Sequence, residues 1–195
     1  MTTHAVPTVV PAMAMRTTHA KAFPLQRTIV TTANGRRSLA ALRLATGFVF
    51  LWAFLDKTFG LGFSTPAEYA WINGGTPAQG FLNSPGVTGP LQPFFQSLAT
   101  PLVDMLFMAG MLGIGLAVML GVGLRVAAGA GTAMMLLMYL AEWPFAMGST
   151  NPAVDYHVIY AIALIAVASL AAGDTWGLGA QWKSLPLVQR NHWLA

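Results

Sequence analysis

"LVDMLFMAGMLGIGLAVMLGVGLRVAAGAGTAMMLLMYLAEWPF", residues 102–145, decides the fold. Its only charged residues are Asp104, Arg125 and Glu142, and Arg125 divides it into two apolar runs. Each run approaches the roughly 20 residues a helix needs to cross about 30 Å of hydrocarbon. Runs of that length are not barrel strands, which are about half as long and alternate in polarity. Working outward, similar runs cover 39–55 and 152–172. The reading is an all-α polytopic membrane protein: a four-transmembrane-helix bundle with spans at 39–55, 102–124, 126–145 and 152–172. The bundle domain covers 38–182.

Composition agrees with this. Of 195 residues, 55% are hydrophobic and only 8% are charged, which is too apolar for an ordinary soluble domain. The formal net charge is +4, but the basic residues form no stripe with interleaved aromatics, so nucleic acid is not an expected partner. They report topology instead. Arg16, Lys21, Arg27, Arg36 and Arg37 precede the first span, Arg125 links the second and third, and Lys183 and Arg190 follow the fourth. The positive-inside rule then puts both termini in the cytoplasm, with anionic lipid headgroups attracted to that side. There are no cysteines, which removes disulfides, iron–sulfur ligation by Cys and any thiol relay within the chain.

Residues 1–37 contain Pro7, Pro11 and Pro24 and no sustained apolar period, so they read as a disordered cytoplasmic tail. Arg36 and Arg37 before an apolar run resemble a twin-arginine export signal, but "LWAFLDKTFG" follows where a cleavage site would stand, as for a retained helix. Residues 183–195 read as a cytoplasmic interfacial tail. The loop at 56–101 is long enough for a role of its own. Within it, Thr65, Pro66, Glu68 and Thr76, Pro77, Gln79 match capping boxes with Pro at the first helical position. They predict two short helices in an extracytoplasmic lid.

The charges within the spans carry the functional reading. Counting from Val126 at about 1.5 Å per residue, Glu142 lies about 24 Å along the third span, near the outer face, with Pro144 ending the helix soon after. Asp155 and His157 begin the fourth span there, Asp104 begins the second, and Asp56 and Lys57 end the first. Ionisable groups at such depths face a bundle interior, a cavity or a partner. Glu142 is expected to pair with Lys57 or His157 beneath the loop. Blander roles exist for the others: Asn151 as N-cap with Pro152 at the first helical position leaves Asp155 to complement the helix dipole, and Lys57 and Arg43 can snorkel. No His pair at helical spacing and no Glu-x-x-His appears, so no metal site is expected, and one intramembrane-edge histidine excludes bis-His haem. The Met residues read as adaptable packing. Gly113, Ala117 and Gly121 read as small-xxx-small steps for close helix approach.

Three stretches, "RLATGFVFLWAFLDKTFG", "GIGLAVMLGVGLRVAAGAG" and above all "NPAVDYHVIYAIALIAVASLAAGDTWGLG", resemble the DoxX/DoxD family of four-helix bacterial membrane proteins over roughly residues 36–182. Arg43, Gly47, Lys57, Gly121, Arg125, Asn151, Asp155, His157, Tyr160, Gly173 and Gly177 are the family-like positions. Met111 stands where many relatives carry a Glu. The resemblance implies a bacterial plasma-membrane subunit of a thiosulfate:quinone oxidoreductase type, with quinone as substrate and a soluble or membrane redox subunit as partner. Glu142, His157 and Asp155 are then the candidate catalytic residues, and Lys57, Asp104, Trp143 and Tyr160 line the candidate quinone pocket. No haem, iron–sulfur or metal site is evident. The other readings are a noncatalytic scaffold for soluble redox partners and a small proton-coupled transporter; a homo-oligomer fits each.

Overall fold

A computed structural model describes residues 23–145, 149 and 151–195, and they contain helices but no strands. Residues 1–22 of the expected tail lie outside the described residues. The expectation of disorder to residue 37 does not hold for the remainder. A single turn, α1 (Gln26–Ile29), precedes α2 (Ala33–Phe59), whose N-terminus is capped by Thr32 accepting from the Gly35 N–H. Arg36 Nη1 donates to the carbonyls of Val30 and Thr31 at 3.0 and 2.8 Å, so a basic residue builds the helix start. Polar residues extend α2 beyond the apolar run that hydropathy alone detects.

The remaining long helices are α5 (Pro101–Leu120), α6 (Leu124–Ala141) and α7 (Tyr156–Ser169), with α3 (Pro77–Leu82) and α4 (Gln92–Ser97) in the long loop and α8 (Gly179–Ser184) and α9 (Pro186–Arg190) after the bundle. Punctuation is local. Pro101 at the first position and Thr100 as N-cap start α5, and Gly121 in the left-handed region at φ 75° stops it. Gly123, also left-handed, launches α6. Glu142 caps the C-terminus of α6 and Trp143 turns out at φ 44°, because Pro144 cannot continue a helix. The third span therefore stops at 141 rather than 145.

Among the described residues, three helices, α2, α5 and α6, are long and apolar enough to cross a membrane. The expected fourth, α7, has 14 residues, a rise of about 21 Å, and by itself falls short. It begins at Tyr156 because Asp155, not Asn151, is its N-cap, accepting from the N–H groups of His157 and Val158 at 2.9 and 3.2 Å. Asn151 instead turns the preceding segment by accepting from Ala153 and Val154. Tyr156, Ile159, Ile162 and Ile165 are all more than half exposed and recur every three residues, so α7 presents an apolar stripe outward. With the half-exposed Leu102, Met105 and Leu106 of α5, this surface suits hydrocarbon.

Two antiparallel pairs make the bundle, α2 with α5 and α6 with α7. Close approach uses Gly121 of the expected stripe, where an added Cβ would meet the Gly173 Cα at 2.7 Å, and glycines outside the stripe. A Cβ on Gly115 would meet the Leu51 backbone nitrogen at 2.8 Å, one on Gly47 would meet that of Met119 at 2.8 Å, and one on Gly131 would meet Leu164 Cδ1 at 2.5 Å. A Cβ on Gly113 would meet nothing within 4 Å. The Gly113–Ala117 face lines an open seam between α5 and α6 instead of a tight one. Phe50, Ile114, Val118, Met135 and Leu164 fill the centre, and a second cluster of Leu82, Val87, Phe95 and Ala141 sits under the loop.

Candidate functional site

At the Arg125 end, Arg43 is fully buried, against the snorkelling expectation. Its guanidinium donates to Val118 O at 2.6 Å, Trp176 O at 2.8 Å, Ala172 O at 3.1 Å and Thr175 O at 3.4 Å, and also to Met119 O. These carbonyls belong to the end of α5 and to the turn after α7. Helix C-terminal carbonyls lack intrahelical partners and carry partial negative charge, so the guanidinium meets dipoles where a carboxylate would be the usual partner. Nearby, Asp174 Oδ2 accepts from Lys183 Nζ at 2.7 Å and from Gln26 N at 2.8 Å, docking α1 onto the bundle. Sequence reasoning missed this clamp; the available signal was an Arg at the level of two glycine-rich links.

At the opposite end, charges are divided between loop fastening and a cavity. Asp104, expected in the pocket, is spent on the loop: it accepts from Ala78 N at 2.7 Å, Gln79 N at 2.9 Å and the Gln79 side chain. It thereby caps α3 in place of Thr76, whose side chain makes no cap bond. The first capping box also fails, because residues 67–69 form a 3₁₀ turn without a side-chain cap. Asp56 is buried and accepts from Phe63 N at 3.2 Å and from Ser64 N and Oγ at 3.0 and 2.7 Å. Trp143 packs over Gly89 and Phe145, and it is not part of the cavity wall.

The cavity, about 170 Å³, is bounded by all four long helices. Lys57, Phe50 and Val49 come from α2, Phe107 and Met111 from α5, Met134, Met135 and Met138 from α6, and Tyr156, His157 and Tyr160 from α7. His157 is 1% exposed. Its Nδ1 lies 2.7 Å from Asp155 Oδ2, which fixes the Nδ1–H tautomer of the neutral ring and leaves Nε2 with a lone pair. Nε2 is buried without a hydrogen-bond partner among the described residues, a costly state unless something else satisfies it.

Glu142 does not pair with Lys57. Its carboxylate accepts from Tyr156 Oη at 3.2 and 3.4 Å, and among the described residues no ion pair includes Lys57. Glu142, Asp155 and His157 each bring one potential ligand atom within 4.8 Å of the others. Both Asp155 oxygens already serve His157 and the α7 N-terminus, and Glu142 is hydrogen-bonded to Tyr156 and to neither of the other two. Of the expected residues, His157, Asp155, Lys57 and Tyr160 gather at or behind one cavity, Glu142 stands beside it through Tyr156, and Asp104 and Trp143 serve the loop. No family model, curated protein or solved structure matches the chain.

Proposed function

We propose that this chain is a DoxX-like subunit of a quinone-linked sulfur oxidoreductase in a bacterial plasma membrane, with α7 completing a four-helix bundle and both termini cytoplasmic. The observation that carries the reading is the Nε2 of His157, buried without a partner among the described residues and held by Asp155 in the wall of a cavity that Met, Phe and Tyr also line. Ligand sites of this type are mostly apolar with a few placed polar groups. Reduction of a quinone takes two electrons and two protons. The electrons come from a donor on a partner subunit. His157, once protonated at Nε2, donates one proton to a ring oxygen, the second ring oxygen takes its proton from water, and the Asp155 carboxylate stabilises the imidazolium that precedes donation. Lys57 stands in the same wall, where an ammonium favours the anionic forms of the ring oxygens.

Thiosulfate-dependent quinone reduction in membranes, with the chain present, deleted or carrying His157→Gln, tests this. The substitution should lower the rate about 100-fold or more, since a positioned acid–base group contributes about 10²–10⁴-fold, while protein abundance stays level. A wild-type rate no higher than that of the deletion strain, with thiosulfate, sulfite and sulfide as donors, overturns the catalytic reading in favour of the scaffold.

A further inference from the structure

The His157 cavity shares part of its wall with the α5–α6 face. Phe107, Met134 and Met138 line it and also line an apolar groove of about 310 Å³ between α5 and α6. Ala130 belongs both to this groove and to a second apolar fissure of about 410 Å³ that continues along the same seam past Gly113 and Ala117. From Phe107 to Ala117 the seam follows about 15 Å of helix. Its wall carries no charged side chain. Ala130, Ala133 and Leu137 line its open edge and are exposed, so it opens sideways, where α5 and α6 face hydrocarbon.

We propose that the ligand of the His157 cavity is a tailed lipid whose hydrocarbon chain leaves between Phe107, Met134 and Met138 and lies in the α5–α6 seam. The proposal rests on the quinone reading above and adds how the ligand is held and where it enters. Three observations combine. The wall of the head cavity includes His157, whose Nε2 is buried without a partner among the described residues and accepts from a quinol hydroxyl or, once protonated, donates to a quinone oxygen. Its passage to the seam is bordered by unbranched Met side chains, which rearrange at low cost. The seam is open at Gly113, where an added Cβ would meet nothing within 4 Å among the described residues, with Trp182 and Leu194 at its far end, while the tight helix approaches use Gly47, Gly115 and Gly131. A cavity beside His157 and an apolar seam, separated only by adaptable side chains, select an occupant that has both a polar ring and a long apolar chain.

A benzoquinone carrying a photoactivatable diazirine at the end of a decyl tail, added to the full chain in nanodiscs and mapped by mass spectrometry, tests the assignment. Labels should concentrate on 109–117 and 126–133, fall when excess tail-less benzoquinone competes for the head cavity, and drop about tenfold in Ala133→Trp, which fills the exposed groove edge. Leu137→Trp, at a second exposed groove position, should reproduce the loss if Ala133→Trp lowers abundance. Labels that respond to the competitor but fall elsewhere overturn the seam while leaving the quinone reading intact. Labels spread over the outward stripes of α5 and α7 without response to the competitor overturn both. Competitor-sensitive labels in the seam that neither tryptophan changes overturn the tail position.

Discussion

Two buried nitrogen groups at opposite ends of the bundle have opposite fates. Arg43 is completely enclosed and donates to five carbonyls from two separate segments. His157 is equally enclosed, yet only one of its ring nitrogens has a partner. Depth and charge alone do not tell these residues apart. What separates them is whether the fold consumes their hydrogen-bonding capacity, because a satisfied group fastens structure and a residual one is free to meet a ligand. By that measure Arg43 is structural, whereas His157 keeps one ring nitrogen without a partner among the described residues; Gln26 Nε2 and Asp174 Oδ1 at the Arg125 end share that state without lining the His157 cavity.

The sharpest way to break this contrast is Arg43→Ala. Five carbonyls lose their common donor in a water-poor setting, and removing one side of a buried polar network costs about 3–5 kcal/mol. Folded protein recovered from membranes should fall severely, and any survivor should melt well below wild type; normal abundance would remove the clamp from the argument. Asp155→Asn comes next. Asn is as good an N-cap as Asp, so α7 should persist, but the carboxylate that stabilises imidazolium is gone. The rate of quinone reduction should drop about tenfold or more with its pH profile displaced to lower pH, at unchanged abundance. An unmoved pH profile would reduce Asp155 to a helix cap.

Asp104→Asn keeps one acceptor for the α3 N–H groups and loses the charge. About 1 kcal/mol of stability should go, read as earlier proteolysis within 60–100 and little change in the bundle. The smallest stability effect is expected for Lys57→Met, because among the described residues no ion pair depends on its ammonium. Thermal stability should stay within about 0.5 kcal/mol of wild type. Destabilisation on the scale of Arg43→Ala would show that Lys57, too, is consumed by the fold.

Helix positions were legible because apolar runs are local, but the spans read as 102–124 and 126–145 each overran the helix by four residues, since α5 stops before Gly121 and α6 stops at Ala141 ahead of Pro144. Caps supplied from afar were not. Thr76 and Gln79 satisfy a capping pattern, but the acceptor is Asp104, which lies 25–26 residues away in sequence. At α7 two good caps stood four residues apart, Pro152 favoured the earlier one, and the structure uses the later. The Asp155–His157 hydrogen bond was not read from the sequence, where Asp155 stood as a helix-dipole partner, although residues two apart need no tertiary information to meet. The expected pairing of Glu142 with Lys57 or His157 required a geometry that depth counting does not contain: Glu142 comes within 4.8 Å of His157, but Tyr156 takes its carboxylate. Small residues along Gly113 and Ala117 indicated a face able to accept something closely, but a helical period does not say whether a neighbour arrives. The Arg43 clamp was hidden for a related reason: its partners are carbonyls, which every residue carries.

The spacing of that clamp bears on biogenesis. Arg43 lies 75 residues before Val118 and 129–133 before Ala172, Thr175 and Trp176. At roughly 5–20 residues per second of synthesis, the last carbonyls emerge several seconds after the arginine. During that interval the newly inserted first helix carries a guanidinium it can neither neutralise nor fully solvate. Release into the bilayer from the insertion machinery should therefore wait for the segment after α7, and truncation before Ala172 should leave a nascent chain that quality-control proteases remove.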